Sequence, residues 1–128
     1  MDVKILQKPA KLTDEEFAEI KKHTVYGFAM VSPENDMIAG LILLHHERWD
    51  GSGYPNGLSG CNIPYFSRVI AVADSIDAMM SDRCYRKALS WSQCLDKLDK
   101  NRSKMYDPEV VDVAFVCQAM IFNALCAD

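Results

Sequence analysis

The sequence predicts an all-α fold, a bundle of about five helices forming a single domain over residues 1–128. Three observations carry this expectation. Helix-start signals recur along the chain, apolar residues fall at helical spacings between them, and no segment alternates apolar and polar side chains as a half-buried strand would.

The first helix opens at Thr13-Asp14-Glu15-Glu16, a capping box in which the Thr13 hydroxyl serves the Glu16 N–H and the Glu16 carboxylate reaches back. Phe17, Ile20, Phe28 and Val31 then mark one apolar face, and His23, three residues after Ile20, borders it. Ser32-Pro33 reads as an N-cap with proline at the first helical position, starting a second helix that runs to about His46. The glycine-rich stretch 50–63 is a loop, and Pro64 opens a third helix to about Met80. Residues 69–73 make that helix apolar nearly all round, hence central, with Asp74 in its middle. Ser90-Trp91-Ser92-Gln93 is a second capping box, for a short helix to about Asn101. Asp107-Pro108 starts a last, strongly apolar helix to Cys126.

Composition fits a small globular domain: 49% of residues are hydrophobic and the net charge is −4. That balance gives no reason to expect nucleic acid or an anionic membrane surface as a partner, so an anionic ligand needs local basic residues. No apolar run approaches the roughly 20 residues of a membrane span, and the N-terminus lacks the apolar core of a signal peptide. A cytoplasmic protein is expected. The five cysteines are odd in number, widely spaced and without a CxxC pair, which argues for reduced, mostly buried thiols.

The chemistry concentrates at residues 45–55, HHERWDGSGYP. Adjacent imidazoles with nearby carboxylates suit Fe, Mn, Zn or Ni, and a loop holding Gly51, Gly53, Gly57 and Gly60 can bring backbone N–H groups close to a phosphate. His45 and His46 end the apolar stretch 37–44. Consecutive residues diverge by about 100 degrees on a helix, so both reach one metal only where the helix end faces an open cavity. Glu47 reads as a charge supporting the ligands, Trp49 as a packing residue and Asp50 as a turn-closing one.

This segment resembles the signature of the HD-GYP family, metal-dependent phosphodiesterases of bacterial cyclic di-GMP signalling. The stretch KPAKLTDEEFAEIKKHTVYG at 8–27 is similar to the family segment around an isolated metal-binding histidine, here His23. RVIAVADSIDAMMSDRCYRKA at 68–88 is similar to the helix that supplies a metal-binding aspartate, here Asp74, and then the substrate-side arginines, here Arg83 and Arg86. The resemblance implies a metal set of His23, His45, His46 and Asp74, and substrate contacts from Gly53, Tyr54, Pro55, Arg83 and Arg86. It also implies an HD-domain-like bundle acting on cyclic di-GMP or a related phosphodiester through a divalent transition metal.

The chain departs from the family in one respect: its three histidines are followed by Thr24, His46 and Glu47, so it contains no His-Asp dipeptide. The family's doublet is expected just before residue 1, making the fold N-terminally truncated. With that bridging carboxylate missing, the expectation is one metal site at most and weak or absent hydrolysis. The alternative is a non-catalytic module that contacts a diguanylate cyclase or another signalling protein through the GYP loop. Truncation is further expected to leave Ile42, Val69 and Val72 partly bare, and a homodimer to cover them.

Overall fold

The computed structural model describes residues 11–82 and 87–126. Among them every regular element is helical: α1 (Asp14–Lys21), α2 (His23–Val31), α3 (Asp36–Leu43), α4 (Tyr65–Met80), α5 (Trp91–Lys100), α6 (Pro108–Val116) and α7 (Gln118–Cys126), with one 3₁₀ turn at Gly60–Asn62. The all-α expectation holds.

Among the described residues seven helices stand where five were expected, because two of them break. Between α1 and α2 the chain tightens at Lys22, whose N–H is shared by the Glu19 and Ile20 carbonyls, while the Thr24 hydroxyl donates to the Lys21 carbonyl. Between α6 and α7, Cys117 leaves helical geometry and the axis bends by 70°. The start of α3 also differs from expectation. Ser32 stays helical as the C-cap of α2, and Asn35, in extended conformation, caps α3 through its side-chain oxygen to the Ile38 N–H at 3.0 Å. Both capping boxes form as expected, on Thr13 and Ser90, and Asp107 caps α6 by accepting from the Glu109 N–H at 2.9 Å.

The core lies among α4, α5 and α6. Val72, Ile76 and Met79 of α4 pack with Cys94 and Leu98 of α5 and with Val110, Val111 and Ala114 of α6, and Tyr106 closes the end. Only one face of α4 takes part: Ile70, Ala73, Asp74 and Asp77 are exposed, so the helix is not enclosed as its sequence suggested. Val72, expected to be bare, is buried at 3% exposure. Ile42 and Val69 are half-buried.

The antiparallel pair α2 and α3 approaches closely at Gly27, where an added Cβ would lie 2.9 Å from Ile42 Cγ2. This pair is joined to α4 by the buried Ser67 hydroxyl, which donates to the Leu41 carbonyl at 3.2 Å. A largely buried ion pair, Arg68 to Asp107 at 2.6 Å, ties α4 to the start of α6, and the same guanidinium donates to the Ile63 carbonyl at 3.0 Å. Cys61, Cys94, Cys117 and Cys126 are free thiols; Cys84 lies outside the described residues. No single described helix is long and apolar enough to cross a membrane; α6 and α7 would meet that length and composition only together, across their bend.

Candidate metal centre

α3 ends at Leu43, and Leu44 has left helical geometry with φ −106° and ψ 7°. His45 and His46 therefore sit in the turn after the helix, where consecutive side chains can converge. Their ring centroids are 4.1 Å apart, and His23, from the first turn of α2, approaches to 5.5 Å from His45 and 4.7 Å from His46. One ligand atom from each of the three lies within 4.8 Å of the others.

The protonation pattern suits a metal. His23 Nδ1 and His45 Nδ1 each stand 2.6 Å from a carbonyl three residues back, that of Ile20 and of Ile42 respectively. A carbonyl can only accept, so each Nδ1 carries a hydrogen, and Nε2 is the atom each ring has left to offer a metal. His46 is lowered to about 4 by burial first, then by His45, His23 and the charge of Arg48, and so is neutral at physiological pH. Three imidazoles on fixed backbone are a fitting donor set for a transition metal.

The cluster edges a cavity of about 300 Å³ whose wall includes Phe17, Arg48, Tyr54, Asp74, Ser75 and Tyr106. Asp74 belongs to this wall, but its carboxylate is outside the close group of three, and it is exposed rather than enclosed by apolar neighbours. It makes no hydrogen bond or ion pair with a described residue. Burial raises Tyr54 and Tyr106.

The glycine-rich loop is built onto the histidines. Tyr54 stacks on His46, centroids 5.1 Å apart and planes 15° apart, its N–H donating to the His46 carbonyl at 3.2 Å. Gly53 is required by this contact: a Cβ there would lie 2.4 Å from the His46 oxygen and 2.4 Å from the Arg48 nitrogen. The close approach that glycine permits is thus to the protein's own backbone. The Tyr54–Pro55 peptide is cis. Asp50 closes the turn, accepting from the Ser52 N–H at 2.9 Å, and Trp49 is half-buried, with the Arg68 guanidinium 5.9 Å from its ring centroid.

Glu47 holds the loop from below. Only 3% exposed, its carboxylate accepts from the N–H groups of Asn56 at 2.8 Å, Gly57 at 3.1 Å and Leu58 at 3.3 Å. The sequence placed Glu47 in a supporting role without revealing this contact. Met105, Tyr106 and Ser75 were missed altogether. Ser75 comes with Asp74 on α4, while Met105 and Tyr106 reach the site because the Trp49 and Asp50 N–H groups donate to the Met105 and Lys104 carbonyls, and no local signal in the sequence announces that pairing. Arg83 and Arg86 lie outside the described residues.

A family model of the HD domain matches residues 3–110. The chain belongs to the HD domain family. Among curated HD relatives, a cyclic di-GMP phosphodiesterase of Thermotoga maritima is 45% identical over 113 residues, 85% of this chain and 31% of that protein. The cyclic di-GMP phosphodiesterase response regulator RpfG of Xanthomonas campestris is 42% identical, over 84% of this chain and 30% of its own length. The chain thus spans about a third of the length of these relatives. A crystal structure of a cyclic GMP-AMP-specific phosphodiesterase of Vibrio cholerae superposes with TM-score 0.71 at 21% identity, covering 91% of this chain and 28% of that one; it attests the shared helical fold.

Proposed function

We propose that this HD domain is a metal-dependent phosphodiesterase domain for a cyclic dinucleotide, cyclic di-GMP in the first place. One observation carries the reading: three imidazoles converge, two of them held through Nδ1 by a carbonyl, and His45 and His46 line a cavity that can admit a phosphate. The names of the two relatives supply the substrate class, and that of the structural neighbour adds cyclic GMP-AMP as the competing ligand.

In this reading His23, His45 and His46 hold one divalent transition metal, with Asp74, unpaired on the same wall, as the carboxylate that completes the set. When bound, the metal supplies Lewis-acid polarisation of a phosphoryl group. The chain's own residues do the rest. Glu47 and Gly53 keep the loop folded on His46, and Tyr54 offers its hydroxyl and ring edge to the ligand. Pro55 fixes the turn, and Arg83 and Arg86 belong to the same proposal as phosphate-binding groups. Among the described residues no further carboxylate joins the three histidines, so turnover well below that of a two-metal site is expected.

Metal-loaded protein incubated with cyclic di-GMP should give slow hydrolysis that vanishes with a chelator and in His45→Ala. Hydrolysis that persists in His45→Ala would contradict the assignment. The names of the relatives favour catalysis over a purely binding role towards a diguanylate cyclase or other signalling protein. The proposal further takes residues 1–128 as one domain, in the cytoplasm, and self-associated as a homodimer. Support for the dimer comes from an apolar groove of about 170 Å³ formed by Val69, Val72 and Ile76 of α4 with Val110, Ala114 and Ile121. Light scattering over a concentration series should find the dimer; a compact monomer throughout would exclude it.

A further inference from the structure

The site described so far accounts for a metal and for the shape of the loop, but the ligand it is proposed to hold is an anion. Arg48 follows Glu47 and stands on the cavity wall, the only lysine or arginine there among the described residues. It forms no hydrogen bond or ion pair with them. Several other basic groups are engaged: Arg68 by Asp107, Arg102 by Asp99 and Asp112, Lys22 by Glu19, Lys100 by Asp96. Lys21 lies over the rings of Phe17 and Tyr54, 4.7 and 5.5 Å from their centroids.

The backbone of Arg48 is pinned on both sides. Its carbonyl accepts from the Gly51 N–H at 2.8 Å, and its nitrogen abuts Gly53 so tightly that no Cβ fits between them. The side chain therefore starts from a fixed point one residue beyond Glu47 and two beyond His46. It shares the cavity lining with His46, Tyr54 and Tyr106. Asp74 lines the same cavity and is not paired with it. An acid is thus left for a cation and a base for an anion within one cavity. A guanidinium presents parallel N–H donors that match the two non-bridging oxygens of a phosphodiester.

We infer that Arg48 is the anion anchor of this cavity, holding a non-bridging phosphate oxygen of the substrate beside the three histidines and so setting specificity for a phosphodiester. The inference deepens the proposed function and rests on it for the identity of the substrate, cyclic di-GMP.

Calorimetric titration of metal-free and metal-loaded protein with cyclic di-GMP, and separately with inorganic phosphate, tests it. Arg48→Gln should weaken both ligands by about tenfold or more, and Arg48→Lys, which keeps the charge and loses the fork, by less. In both variants the metal stoichiometry should stay that of the wild type, since Arg48 is no ligand. Equal affinity of wild type and Arg48→Gln for both ligands would overturn the Arg48 assignment and leave the proposed function standing. Arg48-dependent binding of phosphate with no binding of cyclic di-GMP would keep the anchor and overturn the substrate. A wild type that binds neither would overturn both.

Discussion

The two halves of this molecule are held together by different forces. Around α4, α5 and α6 nine residues form a continuous buried core, with Cys94, Leu98 and Val111 fully enclosed. Across α1, α2 and α3 the structure buries only Thr24 and Ala39, while Phe17, Val25, Tyr26, Met30, Met37 and Ile38 remain exposed. Yet the second half delivers all three histidines, His23 from α2 and His45 and His46 from the turn after α3. Its order comes from polar and aromatic contacts: the Nδ1-to-carbonyl bonds, the Tyr54 stack, the Glu47 carboxylate under the loop and the Ser67 bond to Leu41. A region stabilised this way has little apolar area to fall back on, and a ligand that binds only its folded form gains leverage over it. The metal is therefore expected to be structural for α1–α3 and indifferent for α4–α6.

The sharpest way to break this contrast is to damage each half separately. Leu98→Ala, at 0% exposure in the core, should cost on the order of 2–5 kcal/mol and lower the unfolding midpoint of the whole domain with or without metal, read by denaturant titration. Glu47→Gln removes a buried charge from three backbone donors and should cost about 2–3 kcal/mol, falling on the loop and the metal site. Its mark is a loss of metal affinity larger than the loss of global stability, by calorimetry beside denaturant unfolding. Equal losses would mean that the halves are not separable.

A smaller effect follows from His46. Its folded-state value is depressed from 6.5 to about 4, so above pH 6.5 neither folded nor unfolded protein binds the proton and no penalty arises. As pH falls from 6.5 towards 4 the unfolded chain takes up a proton that the folded one refuses, and stability declines through that window. Metal-free wild type should lose stability more steeply between pH 6.5 and 4.5 than His46→Gln; identical slopes would remove the burial argument. The smallest change expected is Gly27→Ala. The added Cβ must displace the Ile42 methyl from 2.9 Å, a loosening confined to the α2–α3 pair that amide hydrogen exchange would detect there and not in α4–α6.

The same division explains what could be seen in the sequence. Caps and spacings are local, so Thr13, Ser90 and Asp107 marked helix starts, and HHERWDGSGYP marked the site. Asn35 overrode Ser32-Pro33 because an extended Asn with a side-chain bond to Ile38 is the stronger cap, a competition the sequence alone leaves open. The breaks at Lys22 and Cys117 carry no proline or glycine to betray them. For Asp74, the apolar run before it suggested enclosure, but a helix is buried by its neighbours, and those of α4 cover one face only. Arg48, Met105 and Tyr106 become part of the cavity through contacts between the loop and the turn before α6, which depend on the assembled fold.

The central claim is that His23, His45 and His46 form one metal site, and elemental analysis of protein prepared without chelators tests it most directly. The account predicts about one transition metal per chain in the wild type, none in His46→Ala, and amide protection of α1–α3 that rises with metal while that of α4–α6 stays constant. A wild type that remains metal-free under metal-replete conditions, with His46→Ala unchanged in stability, would contradict it.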